Sequence, residues 1–89
     1  MTAPRALSAP DPEYSEEGRR KHLDATVGMW IVVGTDGLVH DIKVQRPAGH
    51  GFDEEAIKTV RTWRFQPAMQ NGVPVPVQIN VDVTFRISK

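Results

Sequence analysis

The chain has 89 residues, with eleven basic and eleven acidic side chains, no cysteine and a mean hydropathy of −0.37. This length suits one small domain, which buries only about 60–65% of the surface of its unfolded chain. The balanced charge argues against a sequence-independent nucleic-acid binder. The lack of cysteine excludes disulfides, thiolate metal sites and thiol catalysis.

The N-terminal part of the chain divides near residue 12. Residues 1–12 are rich in proline and alanine and have little periodicity, so we expect a flexible linker or tail there, followed by one domain over residues 13–89. Between Glu13 and His22 acidic residues precede basic ones, which favours a short helix. Gly18 in its middle weakens that prediction.

Two strands and a tight turn come next. Val27 to Val33 is apolar and β-branched, and the sequence Gly-Thr-Asp-Gly at 34–37 is typical of a hairpin turn. Leu38 to Arg46 is the predicted second strand. Val39 is out of phase with the apolar residues that follow it, so we expect a bulge near His40 and Asp41.

The clearest helix is predicted over Phe52 to Phe65. Its apolar residues recur at helical spacing, three acids occupy its first turn, and Pro67 prevents its continuation. Asn71-Gly72 then predicts a second tight turn.

The last predicted strand runs from Val75 to Ile87, where apolar and polar residues alternate throughout. The predicted fold is therefore α+β: a two-layer sandwich with a three-stranded antiparallel sheet, order 2-1-3, and two helices on one face. The last strand is then an open edge. Because Pro76 has no N–H to donate, its side of the strand should lack a partner, and by parity Gln78, Asn80, Asp82 and Thr84 point their backbone groups outward.

Catalytic and metal chemistry have little support in this sequence. The three histidines, His22, His40 and His50, lack metal-ligand spacing, and His40 and Asp41 are neighbours on a strand, where they point to opposite faces. A hydrolase would need a clustered histidine and acid, which this topology does not supply. We expect no catalytic residue, no metal and no cofactor.

Two surface features each allow two interpretations. The basic residues Lys58, Arg61 and Arg64 form either a solvated helix face or a contact for an acidic partner. Trp30 and Val32 lie on the face of strand one opposite its other apolar residues. They form either a self-association surface or a patch covered by the N-terminal segment.

Three sequence runs resemble the TonB C-terminal domain family. They are Tyr14-Ser-Glu-Glu-Gly-Arg-Arg-Lys, Val33-Gly-Thr-Asp-Gly-Leu-Val-His-Asp-Ile-Lys-Val, and Phe52-Asp-Glu-Glu-Ala-Ile with Val60-Arg-Thr-Trp-Arg-Phe-Gln-Pro-Ala. The closing Asn71-Gly-Val-Pro-Val and the alternating strand are also similar to the family, so the resemblance covers roughly residues 12–87.

The resemblance implies a periplasmic domain, anchored in its full-length protein to the inner membrane, with no nucleic-acid partner. In the family it binds the TonB-box peptide at the N-terminus of an outer-membrane TonB-dependent receptor by β-augmentation, coupling proton-motive force to nutrient transport. The resemblance also implies a partner in the inner membrane, a motor of the ExbB/ExbD type that the domain would contact through its membrane anchor. The residues implied in peptide binding are Gln78, Ile79, Asn80, Val81, Asp82, Val83 and Thr84 of the last strand, with Asp11, Glu13 and Tyr14 before the first helix.

The chain departs from the family at several positions. Ser15 replaces a usual proline, His22 and Ala25 replace frequent glycines, and Asp11 and Glu13 replace frequent glutamines. Similar domains also end periplasmic sensors and peptidases. The alternative function is therefore an interaction or dimerisation module of a larger envelope protein, with Trp30 and Val32 or the same strand edge forming a homodimer.

Overall fold

The computed structural model describes residues 2–87 and contains seven strands and two helices. The strands are β1 (Arg5–Ser8), β2 (Ala25–Val33), β3 (Val39–Arg46), β4 (Arg64–Gln66), β5 (Ala68–Gln70), β6 (Val73–Val75) and β7 (Val77–Phe85), and the helices are α1 (Glu16–Arg20) and α2 (Phe52–Val60). Neither helix is long and apolar enough to cross a membrane.

The main sheet has three antiparallel strands in the order β3-β2-β7. This order confirms the predicted arrangement 2-1-3, because β2, β3 and β7 are the first, second and third predicted strands. The sheet presents one apolar face to the helices. Its core residues are Val27, Met29, Ile31 and Val33 of β2, Phe52, Ala56 and Val60 of α2, Phe65 of β4, and Val83 and Phe85 of β7.

The predicted bulge in the second strand is present. Val32 pairs with Asp41 and Val33 pairs with Val39, so His40 is the extra residue. A second shift, between Gly28–Arg46 and Met29–Val44, makes Gln45 extra as well. Both shifts bend β3 while leaving Ile42 and Val44 on the core side.

The predicted helix over residues 52–65 is too long, because α2 ends at Val60. Its last turn tightens: the Thr62 and Trp63 amides donate three residues back, to Thr59 (2.9 Å) and Val60 (3.0 Å). The chain then leaves the helix, and the Phe65 amide donates to the Gly37 carbonyl at 2.9 Å. Phe65 therefore enters the core from a strand, and tertiary pairing rather than local periodicity ends the helix.

Short strands form where none was predicted. β1 lies within the expected linker and pairs antiparallel with β4, although all four of its residues are exposed. β5 and β6 pair on either side of Asn71 and Gly72, which have φ of 52° and 77° and form the expected turn. Pro76 separates β6 from β7, so the predicted single strand from Val75 is two strands. The division of the chain at residue 12 stays a prediction.

The first helix is shorter than predicted and is held by Ser15. Ser15 is only 3% exposed, and its hydroxyl is hydrogen-bonded within the protein. The Ser15 Oγ accepts the Gly18 amide at 2.9 Å and donates to the His50 carbonyl at 2.9 Å. Gly18 is buried because the Phe52 ring lies directly against it. A Cβ atom built there would lie 2.7 Å from both Phe52 Cε1 and Ser15 Oγ. Glycine at this position lets α1 approach the core.

This contact predicts that Gly18→Ala destabilises the domain by about 1–3 kcal/mol, since the added methyl group overpacks the core. Helix propensity alone predicts the opposite sign, a gain of roughly 1 kcal/mol. The measurement is the free energy of unfolding in urea, with Arg20→Ala at an exposed position of α1 as the control. A Gly18→Ala protein as stable as Arg20→Ala would contradict this account of α1.

Candidate functional site

The outer edge of β7 is the most regular unpaired surface of the sheet. β7 pairs with β2 over nine residue pairs, from Ala25–Phe85 to Val33–Val77, with no shift of register. On its other side no strand of residues 2–87 pairs with it. The edge therefore carries a straight row of backbone donors and acceptors that an extended chain can match.

The opposite edge of the sheet is different. β3 contains both bulges, at His40 and Gln45, and each interrupts the regular spacing of backbone groups. Bulges and charged side chains are common devices that keep an edge strand from pairing with another chain. Of the two edges, β7 is the one suited to β-strand addition.

Two hydrogen bonds at opposite ends of the sheet indicate which residues of β7 face outward. The Ile87 amide donates to Asp24 Oδ1 at 2.9 Å, on the β2 side, and the Gly34 amide donates to the Leu38 carbonyl at 3.0 Å, on the β3 side. Because successive residues alternate, both bonds direct the odd-numbered residues of β7 toward β2. The outward backbone groups are those of Gln78, Asn80, Asp82 and Thr84, the parity expected from Pro76.

The seven predicted residues of this strand fall into two sets by burial. Gln78, Asn80, Asp82 and Thr84 are exposed, whereas Ile79 and Val81 are half-buried and Val83 is 3% exposed. The odd-numbered side chains point toward the core, and the backbone groups that a docked peptide would pair with belong to the even-numbered residues. The peptide-binding role of both sets stays a prediction.

Arg46 connects all three strands on the solvent side of the sheet. Its Nη2 donates to Asp82 Oδ1 at 2.6 Å, and the guanidinium lies over Gly28, where a Cβ would be 2.8 Å from the same nitrogen. Glycine in β2 thus leaves room for an ion pair between β3 and β7. This pair is not visible in the sequence alone, because its partners meet only through the register of the intervening strand.

Tyr14 joins the segment before α1 to the end of β7. Its ring makes edge contacts with Phe52 and Phe85, with centroids 5.5 Å and 5.8 Å away, and its hydroxyl donates to the Leu23 carbonyl. Burial of the hydroxyl raises the pKa of Tyr14, and the nearby Asp24 carboxylate raises it further. The structure therefore brings one of the three predicted N-terminal site residues to β7.

The other two predicted N-terminal residues, Asp11 and Glu13, are exposed. Neither side chain forms a hydrogen bond or ion pair with another residue of the described range 2–87. Pro10 lies between β1 and Asp11 in the sequence, and its carbonyl accepts the Trp63 Nε1–H at 3.1 Å. The N-terminal segment is thus bonded to Trp63, whose side chain is half-buried against the core.

Trp30 and Val32 lie half-buried on the solvent face of the sheet. Their lateral neighbours are polar: Lys43 and Asn80 beside Trp30, and Asp41 and Gln78 beside Val32. β1 pairs with β4 and not with this sheet. Self-association through the two residues stays a prediction.

Several ionisable groups of the described residues form pairs away from the β7 edge. His40 Nε2 lies 2.9 Å from Asp36 Oδ1, and the pKa of Asp36 is lowered by the Leu38 amide first and by His40 second. The pKa of Glu17 is lowered mainly by its hydrogen bond from Lys21, with His50 contributing. No group of three potential metal ligands occurs within residues 2–87. The first pair lies at the turn between β2 and β3, and the second group joins α1 to the loop before α2.

Comparison with known proteins gives a consistent result. The sequence profile described as "Gram-negative bacterial TonB protein C-terminal" matches residues 10–87. Protein tonB2 of Pseudomonas aeruginosa is 29% identical over 83 residues, covering 92% of this chain and 31% of the relative. Protein TonB of Escherichia coli K12 is 27% identical over 89 residues, covering 97% of this chain and 37% of the relative. The chain thus spans about a third of the length of these relatives.

The fold has a solved counterpart. The solution NMR structure of the Pseudomonas aeruginosa TonB C-terminal domain superposes with a TM-score of 0.80 at 24% identity, covering 100% of this chain and 91% of the other. At that level of identity the likeness concerns the fold alone.

The position of Tyr14 predicts a displaced titration. It is the only tyrosine of the chain, so tyrosinate absorbance reports on it alone. In the folded protein we expect the Tyr14 hydroxyl to be half-ionised at a pH above 10.0, the ordinary pKa of tyrosine. In the urea-unfolded protein we expect half-ionisation near pH 10.0. Because the folded pKa is raised, the stability from this group is complete below pH 10.0 and declines as pH rises through the folded pKa.

Asp24→Asn separates the two causes of this shift. Burial is the larger cause, so the variant should keep most of the upward displacement of the Tyr14 pKa, while its amide oxygen still accepts the Ile87 amide. Coincident titration of the folded and unfolded protein would show that the Tyr14 hydroxyl is not enclosed.

Proposed function

The chain belongs to the family of C-terminal domains of Gram-negative bacterial TonB proteins, and we propose on this premise that it binds an extended peptide along the outer edge of β7. The partner is the N-terminal box peptide of an outer-membrane TonB-dependent receptor, which adds a fourth strand to the sheet. In this function the domain acts in the periplasm. It transmits force from an inner-membrane motor of the ExbB/ExbD type to the receptor and so drives nutrient uptake.

The observation that supports this proposal most is the regularity of the β7 edge. Its nine residues keep one register with β2, and four of them direct their backbone groups outward. Main-chain bonds supply affinity in this mode of recognition, and alternate side chains supply selectivity. An interface of a few backbone bonds is small, so an isolated peptide should bind with an affinity of about micromolar.

A binding function of this kind needs no catalytic residue and no cofactor. The domain has to hold the peptide while both are pulled, and the strand that receives it is tied to the core. Val83 and Phe85 are buried among α2 and β2 side chains, and Arg46 secures Asp82 from the far strand. Force applied to the peptide therefore reaches the whole sheet.

Self-association is the second candidate function. The same edge of β7 can pair with a copy of itself, and half-buried Trp30 and Val32 on the adjoining face offer apolar contact. This alternative predicts that the spectrum depends on protein concentration in the absence of any peptide.

Amide NMR titration with receptor box peptides tests the proposal. We expect the largest shifts at Gln78, Asn80, Asp82 and Thr84, with smaller shifts near Tyr14. Asn80→Pro removes an outward N–H and should weaken binding at least tenfold while the fold persists, since edge strands accept proline on their open side. Val81→Pro is the matched control, because it removes an N–H directed at β2 and should strongly destabilise the domain.

Two results would count against peptide docking here. One is an Asn80→Pro protein that binds box peptides as tightly as the parent chain. The other is a set of β7 amides that respond to no peptide but broaden with rising protein concentration, which would favour self-association.

A further inference from the structure

A basic cleft lies at the C-terminal end of β7. We call it the terminal cleft; it has a volume of about 310 Å³ and is lined by Tyr14, Arg19, His22, Arg86 and Ile87. Arg19 and His22 come from the end of α1, and Arg86 and Ile87 follow the last residue of β7. The fold thus brings two arginines and a histidine from opposite ends of the chain to one cleft.

The arginines of the terminal cleft have no ion pair within residues 2–87. Of the other lysines and arginines in this range, three have an acidic partner: Lys21 with Glu17 at 3.0 Å, Arg46 with Asp82 at 2.6 Å and Lys58 with Glu55 at 3.6 Å. The Asp24 carboxylate acts on Tyr14 of the cleft, and its Oδ1 accepts the Ile87 amide at 2.9 Å. Among residues 2–87, the lining of the cleft thus contains two arginines and no acidic side chain, a composition suited to an anionic ligand.

The terminal cleft continues the line of the β7 edge. Arg86 is two residues beyond Thr84 and has the same parity as the outward-facing residues. At about 3.3 Å per residue, two further residues of a paired peptide extend about 7 Å past Thr84. A peptide docked along β7 thus reaches Arg86 with residues that flank its paired segment on one side.

His22 also lines the cleft, and its backbone lies in a conformation that favours glycine. Its φ is 55°, the left-handed region, at the end of a helix where the Leu23 amide donates to the Gly18 carbonyl at 2.9 Å. Glycine is the usual residue at this position of a helix terminus. Histidine instead places a third potential donor beside the two arginines.

We propose that the terminal cleft binds the carboxylate of an acidic residue located directly beyond the paired segment of the docked peptide. Arg19 and Arg86 supply the charge, and guanidinium groups match the planar carboxylate through paired hydrogen bonds. A peptide with an acidic residue at one end of its paired segment can bring the carboxylate to the cleft in only one of its two orientations along β7. The cleft therefore fixes the direction in which the peptide lies. This inference rests on the proposed function.

The test uses four capped peptides with the same uncharged Thr-Val core, titrated by NMR. Two carry Glu or Gln before the core, and two carry Glu or Gln after it. We expect the Glu peptide to bind about three- to tenfold more tightly than its Gln counterpart at one end only, as for a solvent-accessible charged contact. The ratio should fall with added salt.

Paired variants locate the effect. Arg19→Gln with Arg86→Gln should bring the Glu/Gln ratio to about one while leaving the affinity for the Gln peptides unchanged. Arg5→Gln with Arg20→Gln makes the same change of charge at exposed residues outside the cleft and should preserve the ratio.

The outcomes separate the two proposals. Peptides that bind with equal affinity whether they carry Glu or Gln overturn the inference about the cleft and leave edge docking intact. Failure of all four peptides, and of receptor box peptides, to bind overturns edge docking and this inference with it. If inorganic phosphate at the peptide's concentration shifts the Arg19 and Arg86 amides equally, the cleft is a site for free anions, and the inference is also overturned.

Discussion

The single register between β2 and β7 controls both the core and the candidate site. In a strand the direction of the side chain and the direction of the backbone bonds alternate together. Odd-numbered residues of β7 therefore pack inward and pair with β2, while even-numbered residues face solvent and the open edge. A slip of one residue would bury Asn80 and Asp82 and expose Val83. The edge is consequently held in place by the same burial that stabilises the domain.

A second group of contacts joins the N-terminal segment to this strand. Tyr14 packs against Phe52 and Phe85, and Phe52 in turn lies against Gly18. Ser15 begins α1 and bonds the loop that precedes α2. The end of α1, the start of α2 and the end of β7 are thereby fixed relative to one another. The position of Arg19 beside Arg86 depends on this arrangement.

Local patterns predicted much of the fold and part of the site. The alternation in the last strand indicated its faces, and the out-of-phase Val39 indicated the bulge, because both depend on neighbours in sequence. The end of α2 was not predictable, since Phe65 keeps the helical pattern but bonds Gly37 from a distant turn. β1 is exposed and has no apolar pattern to reveal its pairing. The terminal cleft joins residues from both ends of the chain and has no local signature.

The pairing of the N-terminal segment has a mechanical consequence. Its contacts occur in strict order along the chain: Thr2 with Met69, Arg5 with Gln66, Ser8 with Arg64, and Pro10 with Trp63. Tension at the N-terminus would open them one after another, whereas a strand on β7 pulled along its axis loads all its bonds at once in shear. Separation of residues 2–10 from these partners releases an extended segment about 30 Å long, at roughly 3.3 Å per residue. Under the proposed function, the N-terminal segment would therefore lengthen under load before the peptide separates from β7.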